Sequence, residues 1–218
     1  MYGTPLARHN RRPTADQADG REKPGPPEVR VIGGTFRGRK LVYSGDSRTR
    51  PMKDRVRESV FNLLGEITSD VHAIDLFAGT GALGLEALSR GAGRATFIEQ
   101  HFPTAAILRK NAETLGCQDR VLIAPANTFI WAKRVPELGA QPWLVFCSPP
   151  YAFYVERKSE MLELIGSLVE RAPSGSQIVV EADENFEFTE LPRADAWRVR
   201  SYPPAVVGIL EISPNESN

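Results

Sequence analysis

From residue 71 onward the chain alternates short apolar runs with helix-length amphipathic stretches, and that rhythm admits few architectures. Apolar runs stand at 72–78, 94–99, 120–126, 143–147 and 177–182. Between them, helical periodicity runs through Leu83, Leu85 and Leu88, then over 103–115, around 129–135 and over 156–171. Strand–helix–strand units of this kind close into parallel pairs with helices on the sheet faces. The last two runs, 197–201 and 206–212, have no helix-length link, so they are expected to pair antiparallel. The expected fold is α/β: a doubly wound, mostly parallel, Rossmann-like sheet with an antiparallel last strand.

The part before residue 71 has a different character. Residues 1–28 carry five prolines and no periodic apolar pattern, which reads as a disordered tail. Residues 29–32 and 40–43 flank a Gly33-Gly34 turn and read as a short hairpin or extended arm. After Pro51, Val56, Val60, Leu63, Leu64 and Ile67 recur at helical spacing, with arginines largely on the opposite face. The expected organisation is therefore a tail (1–28), a basic arm and helix (29–70), the sheet domain (71–213) and a short end (214–218). Between Arg30 and Arg57 nine basic residues face only Asp46 and Asp54, although the whole chain has no net charge. A basic block on an otherwise acidic chain points to a polyanionic partner, though a solvated charged face would give the same composition.

Several classes drop out. Cys117 and Cys147 form no C-x-x-C pair, and His9, His72 and His101 are scattered, so neither a disulfide framework nor a metal site is expected. The apolar runs fall short of the roughly 18 residues of a membrane span, and the first residues lack a signal-peptide apolar region. The expected address is the cytoplasm. Cys147 reads as a small buried strand residue, and His72 and His101 as residues without catalytic duty.

The first chemical signal is Asp75-Leu76-Phe77-Ala78-Gly79-Thr80-Gly81-Ala82-Leu83-Gly84, a G-x-G-x-x-G run between strand and helix, with Glu99 closing the next strand. Glycines let backbone approach a ligand, and a carboxylate at the second strand's end suits a ribose diol. The pattern fits a dinucleotide dehydrogenase, an S-adenosylmethionine enzyme, or a tight turn with no ligand. The second signal narrows the choice. The run at 143–147 ends in Ser148-Pro149-Pro150-Tyr151, at the strand end that faces the ligand crevice of such a sheet. Two prolines leave carbonyl acceptors in a stiff turn, a hydroxyl adds another acceptor, and a ring follows. That set suits a planar base whose exocyclic amine is held by its hydrogens, and no hydride-transfer constellation accompanies it.

These residues also carry a resemblance. Ser148-Pro149-Pro150-Tyr151 resembles the (Asp/Asn/Ser)-Pro-Pro-(Tyr/Phe/Trp) loop of amino methyltransferases that use S-adenosyl-L-methionine. Arg30-Val31-Ile32-Gly33-Gly34, Arg37-Gly38-Arg39-Lys40-Leu41, Arg50-Pro51, Asp54-Arg55-Val56-Arg57-Glu58, the Asp75–Gly81 run and Gly84-Leu85-Glu86-Ala87-Leu88-Ser89-Arg90-Gly91 together resemble the RsmD family, bacterial 16S rRNA guanine-N2 methyltransferases. The resemblance spans about residues 29–213. It implies a class I methyltransferase fold, S-adenosyl-L-methionine as cofactor, and 16S rRNA of the small ribosomal subunit as partner; apart from the resemblance, a monomer is the default expectation. It implies a cofactor site at Asp75, Phe77, Ala78, Gly79, Thr80, Gly81, Glu99 and Asn127, with the ribose on Glu99. Ser148, Pro149, Pro150 and Tyr151 would form the catalytic loop, and Arg37, Arg39, Lys40, Arg50, Arg55 and Arg57 would meet RNA phosphates.

The chain departs from the family pattern in two places. Ser148 stands where Asp or Asn is usual, and Pro125 stands where a polar residue near the adenine amine is expected, with Asn127 two residues on as its substitute. A serine orients an amine but brings no charge; a loss of about 1.4–3 kcal/mol would slow transfer roughly ten- to a hundredfold. Serine in this loop also leaves open transfer to cytosine N4 or adenine N6, or a degenerate member that binds RNA or cofactor without catalysis.

Overall fold

In the computed structural model, Met1 and residues 28–43, 45, 51–134 and 138–213 are described. The tail reading of residues 2–27 and the role given to Arg50 lie outside them. Seven strands form the main sheet: β3 (His72–Asp75), β4 (Arg94–Ile98), β5 (Val121–Ala124), β6 (Trp143–Cys147), β7 (Gln177–Asp183), β8 (Arg198–Tyr202) and β9 (Ala205–Glu211). A separate two-stranded sheet pairs β1 (Val29–Arg30) antiparallel with β2 (Lys40–Leu41). The main sheet runs in the order β5-β4-β3-β6-β7-β9-β8. The first five of these are parallel, and β9 lies antiparallel between β7 and β8, as the missing link between the last two runs required. The winding reverses between β3 and β6, so their carboxyl ends open a crevice.

Helices cover both faces: α1 (Asp54–Leu64), α2 (Ala82–Arg90), α3 (Phe102–Leu115), α4 (Thr128–Lys133), α5 (Phe153–Glu156) and α6 (Lys158–Arg171). The strands are therefore apolar on both sides, and alternate residues serve two cores. Ala73, Leu144 and Phe146 pack into one core; Ile74, Val145 and Cys147 pack into the other. His72 is buried at the start of β3 with Nε2 2.8 Å from Thr96 Oγ1, and burial holds its pKa down to about 4. No helix among the described residues is long and apolar enough to cross a membrane.

The arm is not a free appendage. Val29, Val31, Leu41, Met52 and Val56 share a core with Leu85, Leu88 and Phe97. The Gly33-Gly34 pair explains how it docks: Gly34 has φ +72°, and a Cβ there would fall 1.8 Å from the Ser89 carbonyl oxygen. The backbone at this turn touches the end of α2, where Ser89 Oγ donates to Gly33 O (2.5 Å) and accepts from Phe36 N (2.8 Å). Glu86, fully buried on α2, accepts from Ile32 N and Gly33 N (both 2.7 Å) and from Arg90 Nε (2.8 Å).

Arg57 overturns one sequence expectation. It is fully buried; its Nη2 donates to Arg30 O (2.5 Å) and Asp54 Oδ1 (3.0 Å), its Nη1 to Met52 O (3.2 Å), and its Nε lies 3.9 Å from Glu86 Oε2. The α1 face drawn as basic thus turns one arginine inward to hold the arm, and Arg57 does not reach an RNA phosphate. The helix expected over 156–171 is present as α6, starting two residues later, after Arg157 separates it from the short α5. There the guanidinium carbon lies 3.9 Å from the Phe129 ring centroid while the group forks onto Glu160 with two 2.7 Å bonds.

Candidate active site

β3 delivers the glycine loop to the crevice. Gly79 (φ +53°) and Gly81 (φ +88°) turn the chain into α2, while a Cβ on Gly84 would fall 2.3 Å from the Phe97 ring. The first two glycines shape the loop and the third seats the helix on the sheet. Asp75 is 1% exposed; its Oδ2 accepts from Gly84 N (3.1 Å), and its Oδ1 has no hydrogen-bond partner among the described residues. Burial pushes its carboxyl up to about 7, with the Gly84 N–H pulling it down and Glu99 pushing it further up. Asn111 braces the loop from behind, donating to Thr80 O (3.0 Å) and to Val42 O (3.0 Å) of the arm.

β4 delivers Glu99. Its Oε2 accepts from Gly79 N (2.8 Å) and its Oε1 from His101 N (2.8 Å). The carboxylate is thus fixed against the glycine loop by two backbone donors, and each oxygen keeps a lone pair for a diol. Beyond β5, Asn127 caps α4: its Oδ1 accepts from Phe129 N (3.0 Å) and Ile130 N (3.3 Å). It lines the cavity, but with its oxygen committed to the cap it does not replace the missing acceptor for an adenine amine. What it can offer is its amide nitrogen, now 3.3 Å from Gln100 Oε1.

β6 delivers the Ser-Pro-Pro-Tyr turn. The β6–β7 register aligns Cys147 with Val180, so the next residue of each strand meets across the pair. Ser148 Oγ donates to Glu181 Oε2, and Tyr151 OH donates to Glu181 Oε1 at 2.9 Å. Tyr154 OH donates to the Glu181 carbonyl at 3.0 Å from a core position against Phe186. Phe153 turns the other way and joins Phe77 and Phe129 in a ring trio with centroid separations of 6.0–6.1 Å. Cys147 is buried and its thiol pushed up to about 12 by desolvation, which suits the packing role expected of it and no nucleophilic one.

These parts share one cavity of about 740 Å³. Asp75, Gly79 and Glu99, from the ends of β3 and β4, and Ser148, Tyr151 and Glu181, from the ends of β6 and β7, all line it. Phe77, Ala78, Thr80, Asn127, Pro149 and Pro150 complete the walls, while Gly81 stands behind the loop as the N-cap of α2. The mouth is bounded by Tyr43, Pro51 and Lys53 of the arm and by Tyr202 and Pro204 of the β8–β9 turn. Tyr202 OH lies 2.5 Å from Ser59 Oγ, tying that turn to α1. Arg37, Arg39, Lys40 and Arg55 are exposed outside it; Arg39 Nη2 donates to Thr114 O (2.6 Å) and Lys40 pairs with Glu28 (2.9 Å).

Sequence reasoning missed Glu181, Lys53 and Tyr202 as site residues. Glu181 did leave a trace: an acidic residue inside the run Gln177-Ile178-Val179-Val180-Glu181-Ala182, where a doubly covered strand has no solvent face for it.

The comparisons with known proteins agree with this architecture. A family model described as Conserved hypothetical protein 95 matches residues 29–207. The Ribosomal RNA small subunit methyltransferase D of Escherichia coli strain K12 is 41% identical over 150 residues, which is 68% of this chain and 73% of that one. Among solved structures, the Escherichia coli protein yhhF superposes with TM-score 0.71 at 30% identity, covering 87% of this chain and all of that one. An RNA methyltransferase from Salinibacter ruber, in complex with S-adenosyl-L-homocysteine, shares the fold with TM-score 0.57 at 19% identity, over 76% of this chain and 95% of that one. The family model spans most of the chain, and the Escherichia coli relative is matched over more than two thirds of both chains: the chain belongs to the RsmD family of methyltransferases.

Proposed function

We propose that this protein transfers a methyl group from S-adenosyl-L-methionine to the exocyclic N2 amine of a guanine in 16S rRNA of the small ribosomal subunit. The observation that carries the reading is that the Ser148–Tyr151 turn lines one cavity together with Asp75 and Glu99, in a chain of the RsmD family. The residues fit the cofactor. Glu99, held by two backbone N–H groups, suits the ribose hydroxyls, the glycine loop gives backbone room beside them, and the unpartnered Asp75 Oδ1 suits the ammonium of the methionine part.

When bound, the cofactor would supply an electrophilic methyl on a sulfonium, to be taken up by the amine lone pair as the carbon–sulfur pair stays on sulfur and the amine gives up one proton. The chain's own work is placement. The guanine amine is a poor nucleophile while its lone pair is delocalised into the ring. Ser148 Oγ and the carbonyl oxygens of the proline turn accept its hydrogens, which rotates the lone pair toward the donor. Tyr151 gives the base a stacking face, worth about 1–3 kcal/mol per base in comparable sites. Exposed Arg37, Arg39, Lys40 and Arg55, with Lys53 at the mouth, suit the phosphates flanking an extruded nucleotide.

The test is direct. Small subunits from bacteria lacking the modification are incubated with the protein and methyl-labelled S-adenosyl-L-methionine, and the RNA is digested to nucleosides. The expected product is label in N2-methylguanosine. Label in N4-methylcytidine or N6-methyladenosine would keep the fold and chemistry but change the acceptor. No label from protein that binds S-adenosyl-L-homocysteine would leave a binding protein without catalysis.

A further inference from the structure

We propose that Glu181 is the positioning residue of this site, aiming the Ser148 hydroxyl at the substrate amine and receiving the amine's proton through it; this rests on reading the cavity as the site of methyl transfer to an exocyclic amine. The argument begins with a weakness of serine. An aspartate or asparagine in the loop's first position always presents an acceptor, whereas a hydroxyl presents its lone pairs only if something draws its hydrogen away. Glu181 does so. Its Oε2 takes the Ser148 hydrogen, and the oxygen's two lone pairs are then left for the cavity side.

Glu181 is itself held for the purpose. It is 7% exposed at the carboxyl end of β7, its Oε1 accepts from Tyr151 OH (2.9 Å), and its main-chain oxygen accepts from Tyr154 OH (3.0 Å). Both side chains of the loop that would touch the base therefore converge on one carboxylate. That carboxylate also restores, one hydrogen bond back, the negative charge that serine lacks, and charge-assisted bonds are about twice as strong as neutral ones. The proton has a balanced route. As nitrogen becomes cationic on methylation, one N–H proton passes to Ser148 Oγ while the hydroxyl's own hydrogen passes to Glu181 Oε2. The amine is left neutral, serine is regenerated, and Glu181 is left as a carboxylic acid that returns its proton to water in the cavity.

The experiment compares wild type, Glu181→Gln, Glu181→Ala, Ser148→Asn and the double variant Ser148→Asn/Glu181→Gln. It measures kcat and KM on small subunits and, by calorimetry, the Kd for S-adenosyl-L-homocysteine. Glu181→Gln keeps a partner for Ser148 but accepts no proton, so kcat is expected to fall about tenfold, and Glu181→Ala about a hundredfold. KM and the Kd should stay within about twofold, because both carboxylate oxygens of Glu181 are already engaged by Ser148 and Tyr151. In the Ser148→Asn background the planar amide needs no partner to present its carbonyl, so Glu181→Gln should cost less than about threefold. An unchanged kcat in Glu181→Gln, an equal loss in both backgrounds, or a Kd that weakens along with kcat would each overturn the proposal. A wild type that labels no nucleoside would instead overturn the reading of the site, and is seen before any variant is compared.

Discussion

Asp75 sits where two demands conflict. It closes β3 in the core, accepts a single hydrogen bond from Gly84, and leaves one oxygen unpartnered among the described residues. Burial raises its carboxyl from the ordinary value of 3.8 to about 7. Between those two values the folded chain keeps a proton that the unfolded chain has lost, so this group's contribution to stability declines as pH rises across that window and is level above about 7. A cation beside Oδ1 would reverse the preference and expel the proton. Affinity for S-adenosyl-L-homocysteine, which carries an ammonium, is therefore expected to rise with pH up to about 7 and then flatten. Below that point binding should release a proton, which calorimetry in buffers of different ionisation enthalpy reads directly. Asp75→Asn should bind more weakly and lose the dependence. An affinity level from about pH 5.5 to 8 would place the ammonium elsewhere.

At the scale of elements, most of the sheet domain could be read from periodicity, because strands covered on both faces leave continuous apolar runs and helices leave a 3.6-residue stripe. The strand at 143–147 emerged with its expected bounds, and the final antiparallel pair followed from link length alone. Contacts set by strand register were not readable. Ser148 and Glu181 lie 33 residues apart and meet only because β6 and β7 align Cys147 with Val180. The same holds for Arg57: its charge and helical position suggested an outward face, while its partners on Arg30 and Met52 exist only once the arm has folded back. The Gly33-Gly34 motif belongs to that docking. Gly34→Ala would need a left-handed alanine with its Cβ 1.8 Å from a backbone oxygen, so the turn must move. Strain and the lost Glu86 and Ser89 contacts are expected to cost about 2–4 kcal/mol. A lowered unfolding midpoint in urea and faster tryptic cleavage at Arg37, Arg39 or Lys40 would record it. An unchanged midpoint would mean that the arm contributes nothing to the stability of the sheet domain.

The whole molecule has no net charge, yet nine basic residues fall between Arg30 and Arg57, and one of them, Lys53, lines the cavity. Within that segment burial sorts the cations into two classes with different consequences. Arg37, Lys53 and Arg55 are exposed, and Arg57 is fully buried against Asp54 and Glu86. An exposed cation that meets a phosphate releases a condensed counterion, so each such residue steepens the fall of log affinity with log salt by about 0.7 for single strands and 0.9 for duplex. Neutralising Arg37, Lys53 and Arg55 together should therefore flatten the slope for ribosomal RNA by about 2 and weaken binding most at low salt. Affinity for S-adenosyl-L-homocysteine, on the proposed site at Asp75 and Glu99, should not change. Removing Arg57 should do the opposite. Glu86 would keep Arg90, but the bonds to Arg30 O, Met52 O and Asp54 that hold the arm would be lost, which costs several kcal/mol, about 1–3 for each buried acceptor left unpaired. The slope of whatever remains folded should be unaltered. If Arg57→Ala flattens the salt slope at full stability, the arm must open to present it to RNA; if the triple variant leaves the slope unchanged, RNA approaches by another face.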